Sequence, residues 1–464
     1  MSYLHKAGLL LLAIAALASC KNDDDDDYSA YFGGVVTNPT TPYVLFIKDN
    51  KVIDTLPLDK ENHFFVKFDS LYPGLYSFKH EPDFQYVYFD KNDSLVVSIN
   101  TSNFDESIVF SGKGDKKNNF MMDLYLDQEK DRKANKEVYY KDFKAFKKVT
   151  DSTYSKREDF YTKSKAIIKW SDGFDFYANA RLKLNYYNKK ENYSYIQKLE
   201  TGHKITYQIP PNFYNFRKNI NFNDVRLTNF SPFVRYLTAM LNNMSVTPGY
   251  CDKNYDENSL KDNIVKLDIA DSIFTDKKIK NEILNNIAFA YMLKDHNVID
   301  NQRFLEHYLK LSTDNPEING IKKMSEAILL LNEGKKLPAI KLLDIDNNLF
   351  DIQKDITKET VLFFWTACAQ SHLDLMYKKL NTLKEEHKDV NFIAINIDED
   401  REWKKIISPY DFENAQQLRA GNFKALKDKW VFTKINRTII LNSDGTIKNA
   451  FTNLMDEKFT DYLK

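Results

Sequence analysis

Cysteine is scarce in this chain: there are three in 464 residues, at positions 20, 251 and 368. So few thiols exclude a disulfide-stapled scaffold and a cysteine-based zinc site. The eight histidines are scattered and none stands at metal-ligand spacing to another, so no metal and no cofactor is expected. Net charge is missing too, since 66 basic side chains are matched by 66 acidic ones. That excludes nonspecific nucleic-acid binding, which needs a basic surplus. After the N-terminal stretch no run is long and apolar enough to cross a bilayer, which takes about 20 residues. Aromatic residues are abundant, with 28 Tyr and 33 Phe. A chain of this composition can bury large cores and is not disordered.

The N-terminus carries its own pattern. His5 and Lys6 close a short leader, and Ala7–Leu17 is an unbroken run of apolar and small residues. That run suits a secretory signal and is too short to span a membrane. Leu17-Ala18-Ser19-Cys20 follows. It resembles the lipobox, in which small residues admit the signal peptidase and the Cys thiol takes a diacylglycerol. The expectation is a signal peptide over 1–19 and lipidation at Cys20, which attaches the protein to a membrane. Removing the signal leaves about 445 residues, enough for two to four domains. Asp23–Asp27 comes directly afterwards. Five adjacent carboxylates repel one another and stay solvated, so 20–27 reads as a tether. They lack the alternating spacing of a calcium loop. The run also resembles the surface-export signals of some Gram-negative lipoproteins. The expected location is the cell envelope, at the outer membrane, facing the periplasm or the cell exterior.

Three regions follow. Residues 28–114 read as an antiparallel β-sandwich. Short runs rich in β-formers recur at Tyr43–Lys48, Val52–Leu56, Phe64–Phe68, Leu75–Phe78, Tyr86–Phe89, Leu95–Ile99 and Ile108–Ser111. Turn residues such as Asp49-Asn50 and Pro73-Gly74 separate them. Residues 115–334 read as all-α. Ile279, Ile283, Ile287 and Ala290 form one stripe behind a Thr275-Asp276 cap, and Ile318, Ile321, Met324, Ile328 and Leu331 form another. Residues 335–464 read as α/β. Val361–Phe364 is a continuous apolar run, as a buried parallel strand would be. A helical stripe at Leu373, Met376, Leu380 and Leu383 follows, then strands at Phe392–Ile397 and Thr438–Leu441, a turn at Asn442–Gly445 and a final helix over Asn453–Leu463.

Here a resemblance becomes specific. Val361–Thr366, Phe392–Asp398 and Ile439–Ile447, with Leu337-Pro338, Leu342–Asp344 and Asn347 ahead of them, resemble the corresponding segments of TlpA-like thioredoxin proteins. The resemblance covers about the last quarter of the chain. It implies a thioredoxin-like domain, and the β-region ahead resembles the domain of unknown function that precedes such domains in bacterial lipoproteins. Family members act through two thiols spaced CxxC at a helix N-terminus. The first attacks a disulfide and the second resolves the mixed disulfide. This sequence reads Trp365-Thr366-Ala367-Cys368-Ala369-Gln370-Ser371-His372. Without a gap, Ala369 and His372 fall where the family has its two cysteines. With one residue deleted, Cys368 and Ser371 do. Neither register supplies a dithiol, and Cys251 has no local partner. The family's cis-proline position is held by Asn436. A cis bond before a non-proline residue costs roughly 3 kcal/mol, so Asn436 is expected in trans.

Three functions are open. The chain is an envelope lipoprotein whose thioredoxin-like domain is a non-catalytic interaction or structural module with an unidentified protein partner. Alternatively, Cys368 works as a single thiol in envelope redox chemistry. A third reading is a surface binder of peptide or glycan that uses the aromatic β-domain. His372 could serve as a base beside Cys368, but no orienting third residue is identifiable, and an exposed first-turn histidine is the expectation. Trp365 reads as a packing residue, and His63, His80, His203, His296, His307 and His387 have no partner that can be named.

Overall fold

The computed structural model describes residues 28–81, 83–134, 136–201, 209–246, 259–294, 298–366, 370–398, 403–407, 415–456 and 458–463. The chain divides into two compact units, one of Met1–Asp123 with Ser164–Tyr177 and the other of Leu124–Lys163 with Ala178–Lys464.

The first unit holds β1 (Ala30–Thr37), β2 (Tyr43–Lys48), β3 (Lys51–Pro57), β4 (His63–Phe68), β5 (Gly74–His80), β6 (Asp83–Phe89), β7 (Ser94–Asn100) and β8 (Val109–Lys113). They form two four-stranded sheets, in orders β4-β1-β7-β8 and β3-β2-β5-β6. Alternation decides which face is buried. In β7, Leu95, Val97 and Ile99 point inward, while Ser94, Val96 and Ser98 face solvent. Phe32 of one sheet meets Phe46 and Phe78 of the other at ring-centroid distances of 5.5 and 5.7 Å. The hairpin between β2 and β3 turns on Asp49 and Asn50, both left-handed, with φ of 49° and 62°.

The sheets depart from the expected antiparallel pattern in one place, because β1 runs parallel to β7. The intervening chain carries five strands, long enough to return in the same direction. Strand β1 itself was not apparent in the sequence, because Gly33-Gly34 interrupts it. A Cβ on Gly34 would lie 2.3 Å from the Val97 carbonyl oxygen and 2.9 Å from the Phe64 ring, so only glycine fits there.

Residues of α1 (Asp115–Ala134), α2 (Phe143–Ile168) and α3 (Asp172–Thr201) are divided between the two units. The second unit continues through α4 (Ser231–Ser245), α5 (Leu260–Ile273), α6 (Lys277–Lys294), α7 (Val298–Leu311) and α8 (Asn315–Leu330). The expected cap of α6 forms, since Asp276 Oδ1 accepts from Ile279 N at 3.0 Å. Behind it Ile279, Ile283 and Ile287 are buried. Phe146 stacks on Tyr193 at 3.8 Å. The fully buried Glu191 accepts from Arg217 Nε and Nη2 at 2.7 and 2.6 Å, and from Asn243 Nδ2 at 2.6 Å.

The C-terminal sheet comprises β9 (Leu342–Leu343), β10 (Leu349–Phe350), β11 (Thr360–Trp365), β12 (Asn391–Asn396), β13 (Gln416–Ala420), β14 (Arg437–Leu441) and β15 (Ile447–Asn453), in the order β10-β9-β13-β12-β11-β14-β15. Its helices are α9 (Gln370–Glu386), α10 (Trp403–Ile407) and α11 (Phe423–Trp430). The all-apolar run Val361–Phe364 lies in β11, inside the sheet. It pairs parallel with β12, Val361 opposite Phe392 and Phe364 opposite Ile395, and antiparallel with β14. Leu373, Met376, Leu380 and Leu383 line the inner face of α9, all at 0% exposure.

Residues 453–463 differ from expectation. In place of a helix over Asn453–Leu463, β15 runs to Asn453 and a single 3-10 turn spans Phe459–Leu463. Side chains take the backbone donors a helix would use. Asn453 Oδ1 accepts from Met455 N, and Asp456 Oδ1 accepts from Lys458 N, each at 3.0 Å.

Candidate functional site

Parallel β11 and β12 end side by side, and their C-terminal ends build a polar cluster. Thr366 Oγ1 donates to Asp398 Oδ1, and Asn396 Nδ2 donates to Asp398 Oδ2 at 2.8 Å. Asp398 N returns a bond to Asn396 Oδ1 at 3.2 Å, and Ile397 N donates to Trp365 O at 3.1 Å. Asn396 is fully buried. The carboxylate of Asp398 thus ties the segment leaving β11 to the segment leaving β12. These are the strand ends where ligands of open α/β sheets gather.

Of the residues singled out from sequence, Cys20, Cys251 and Cys368 lie outside the described residues. The segment that carries Cys368 connects β11 to α9. Helix α9 starts at Gln370, and Ser371 and His372 lie in its first turn. His372 is not the exposed residue expected there. It is half-buried, its ring hydrogen-bonds the backbone of Phe364, and its Nε2 is buried with no partner among the described residues. Burial pushes its pKa below the usual histidine range, against the opposing pull of the Phe364 bond. Trp365 is fully buried 6.2 Å from Trp403, as a packing residue should be.

Asn436 sits with Ile435 at the centre of a turn closed by Arg437 N donating to Lys434 O at 3.2 Å. Its neighbour Arg437 organises this corner. The guanidinium is buried and pairs with no carboxylate among the described residues. Nε donates to Ala450 O at 2.9 Å, Nη1 donates to the Trp430 and Val431 carbonyls, and the Phe451 ring lies 4.2 Å away. Burial pushes its pKa down to about 9, so at pH 7 it is charged. One of the carbonyls it holds belongs to Val431, a β-branched residue in the left-handed region with φ of 51°.

The sequence reading assigned no role to Thr366, Asn396, Asp398 or Arg437. The signal available was polar residues at the ends of the apolar strands β11, β12 and β14. Two other histidines acquire partners. His307 Nε2 lies 2.6 Å from Asp268 Oδ1, and His80, 1% exposed, contacts Thr40 N and Tyr43 O.

A strand–helix–strand unit with β11 and β12 parallel, followed by the β14–β15 hairpin, is the topology expected of residues 335–464. The family profile described as thioredoxin-like matches residues 357–447. The C-terminal domain is thioredoxin-like. Solved structures similar to parts of this chain include a thioredoxin-like protein from Bacteroides caccae, at 17% identity over 53% of this chain and 88% of that one, with a TM-score of 0.35. Another is the thioredoxin domain of a thiol-disulfide oxidoreductase from Bacteroides vulgatus, at 23% identity over 25% and 86%, with a TM-score of 0.20. A third is a thiol:disulfide interchange protein from a Bacteroides species, at 20% identity over 26% and 80%, with a TM-score of 0.22. No curated protein matches the chain. The Ile435-Asn436 turn precedes β14, which pairs antiparallel with β11.

Proposed function

We propose that the chain is a lipid-anchored envelope protein whose thioredoxin-like domain is a non-catalytic interaction or structural module. The observation that carries this reading is stoichiometric. From Trp365 to His372 there is one thiol, Cys368, and the resolving position is Ser371 or His372 in either register. A dithiol enzyme releases its product when the second thiol attacks the mixed disulfide, and neither residue can do that. Asn436 at the proline position adds a second departure. His372, with burial depressing its pKa, is suited to packing as a neutral ring and gives no support to a charged partner for a thiolate.

The test is insulin reduction with a dithiol donor, comparing wild type, Cys368→Ala and Ser371→Cys. No turnover by the wild type is expected. Turnover appearing only in Ser371→Cys would add that the gapped register is correct. Wild-type turnover that disappears in Cys368→Ala would overturn the proposal in favour of single-thiol redox chemistry. Membrane attachment is assigned to Cys20, and the envelope location follows from it.

A further inference from the structure

The largest cleft of the second unit among those described lies away from the β11–α9 connection. It has a volume of about 1190 Å³ and opens between α6 and α8 on one side and α11 with residues 431–435 on the other. Thr366, His372 and Asn436 are not among its described lining residues. We propose that this cleft docks an extended polypeptide segment that alternates acidic with apolar side chains. The proposal builds on the interaction-module reading of the domain and names the chemistry of the partner.

Three observations support it. The floor is apolar and uncovered. Phe289 is 43% exposed and Leu330 54% exposed, and both line the cleft with Met324, Phe423, Phe432 and Ile435. Side chains of this size left open in one concavity mark an interaction surface more often than an accident of folding. The rim is cationic. Lys323, Lys424, Lys427, Lys429 and Lys434 line the cleft against Glu317, Glu326 and Asp428. Lys429 Nζ is taken up by Ala339 O at 2.9 Å, and Glu317 accepts from Asn285 at 2.8 Å. The ammonium groups of the other four lysines have no hydrogen-bond or ion-pair partner among the described residues. A ligand with carboxylates would pair with them, and a cationic one would be repelled. Finally, the volume exceeds the roughly 300–1,000 Å³ of typical small-molecule pockets, and apolar and charged groups are interleaved along the walls. That pattern fits a chain with side chains of both kinds better than an amphiphile with one charged head.

The far wall has a built shape. Arg437 holds the carbonyls of Trp430 and Val431, which fixes the end of α11 where residues 431–435 begin. The near wall offers a clean way to close the cleft. Gly320 of α8 lines it, and a Cβ there would meet nothing within 4 Å. A Cβ at Gly320 thus enters open space in the cleft wall, so Gly320→Trp is the variant chosen to fill the cleft, and it removes a helix-weakening glycine.

The experiment is fluorescence anisotropy on the full chain with a labelled ten-residue peptide alternating Glu with Leu or Phe. A matched peptide with Lys for Glu and vesicles of anionic phospholipid serve as comparison arms. The acidic peptide is expected to bind at least tenfold more tightly than the basic one, and more weakly as salt is raised. Gly320→Trp and the double variant Lys424→Glu/Lys427→Glu should each weaken it at least tenfold, with a circular dichroism melt that is not lowered. Equal affinity for both peptides, or binding unaffected by Gly320→Trp, would overturn the proposal. So would vesicle binding that is sensitive to Gly320→Trp while the acidic peptide fails to bind. Insulin turnover read on the same preparations keeps the two proposals apart. Turnover with peptide binding sinks the non-catalytic reading alone, and absence of both sinks the docking assignment alone.

Discussion

Arg437 shows how much of a corner one buried side chain can hold. Its Nε and Nη1 make three hydrogen bonds to backbone carbonyls on two elements, Trp430 and Val431 at the end of α11 and Ala450 in β15. The planar fork of arginine can do this, and a lysine ammonium is a single point donor. Arg437→Met leaves those carbonyls buried without a donor, at about 1–3 kcal/mol for each one that water cannot reach. It also releases Val431 from the constraint that opposes its left-handed strain. A large drop in the urea midpoint of the thioredoxin-like domain is expected for Arg437→Met, with Arg437→Lys only partly better. Wild-type midpoints for both would show that the guanidinium is a passenger. Thr366 is a smaller case, just past the C-terminal end of β11. Thr366→Val removes one donor to Asp398 while keeping the shape, so a loss of about 1 kcal/mol is expected in the same measurement.

At the scale of elements, β2 and β5 are joined through one imidazole. His80 Nε2 accepts from Thr40 N at 2.9 Å, which leaves Nδ1–H to donate to Tyr43 O at 3.0 Å, so the bonded ring is neutral. Burial pushes its pKa below 6.5, outweighing the Tyr43 bond and the charge of Glu81, which both raise it. A folded pKa below the unfolded value means the unfolded chain binds the proton more readily. The stability contributed by His80 is therefore full above about pH 6.5 and is lost as pH falls through the interval down to the folded value. Acid should cost the wild type more stability between pH 7 and pH 5 than it costs His80→Asn, as read by calorimetry. Parallel pH profiles for the two proteins would refute this. The same elements show what could be read in advance. β2, β5 and β7 were legible because their alternation is clean and their turns are marked by Asn, Asp, Pro and Gly. β1 was hidden by Gly33-Gly34, whose reason is a cross-strand approach to Val97 that no local pattern reveals. β13, Gln416–Ala420, has Gln417 and Arg419 in place of apolar alternation, and its place in the sheet is set by pairing with β12 and β9. At the site, the apolar strand before Cys368 was plain. The Thr366–Asp398–Asn396 cluster was not, because it joins residues 32 apart that meet only when β11 and β12 pair.

At the scale of the whole molecule, the proposed lipid anchor makes a prediction of its own. No helix among the described residues is long and apolar enough to cross one. The apolar stretch Ala7–Leu17 is eleven residues, about half the length a spanning helix needs, and Cys20 follows three residues after it. In the proposed reading attachment rests on lipid chains at that cysteine. One acyl chain binds a bilayer only marginally, while two or more give stable anchoring, so a lipid-modified Cys20 can hold the entire body alone. The next residues do not help, because Asp23–Asp27 would be repelled by an anionic surface. Attachment should therefore behave as a single-residue property. Wild-type protein is expected in the membrane fraction after a high-salt wash and to incorporate labelled palmitate. Cys20→Ala should lose the label and either move to the soluble fraction or accumulate with its first nineteen residues uncleaved. Neutralising Asp23–Asp27 to Asn should leave fractionation unchanged while altering which side of the envelope external protease can reach, if the acidic run acts as an address. Cys20→Ala that stays in the washed membrane fraction, fully processed, would show that something other than the lipid does the anchoring.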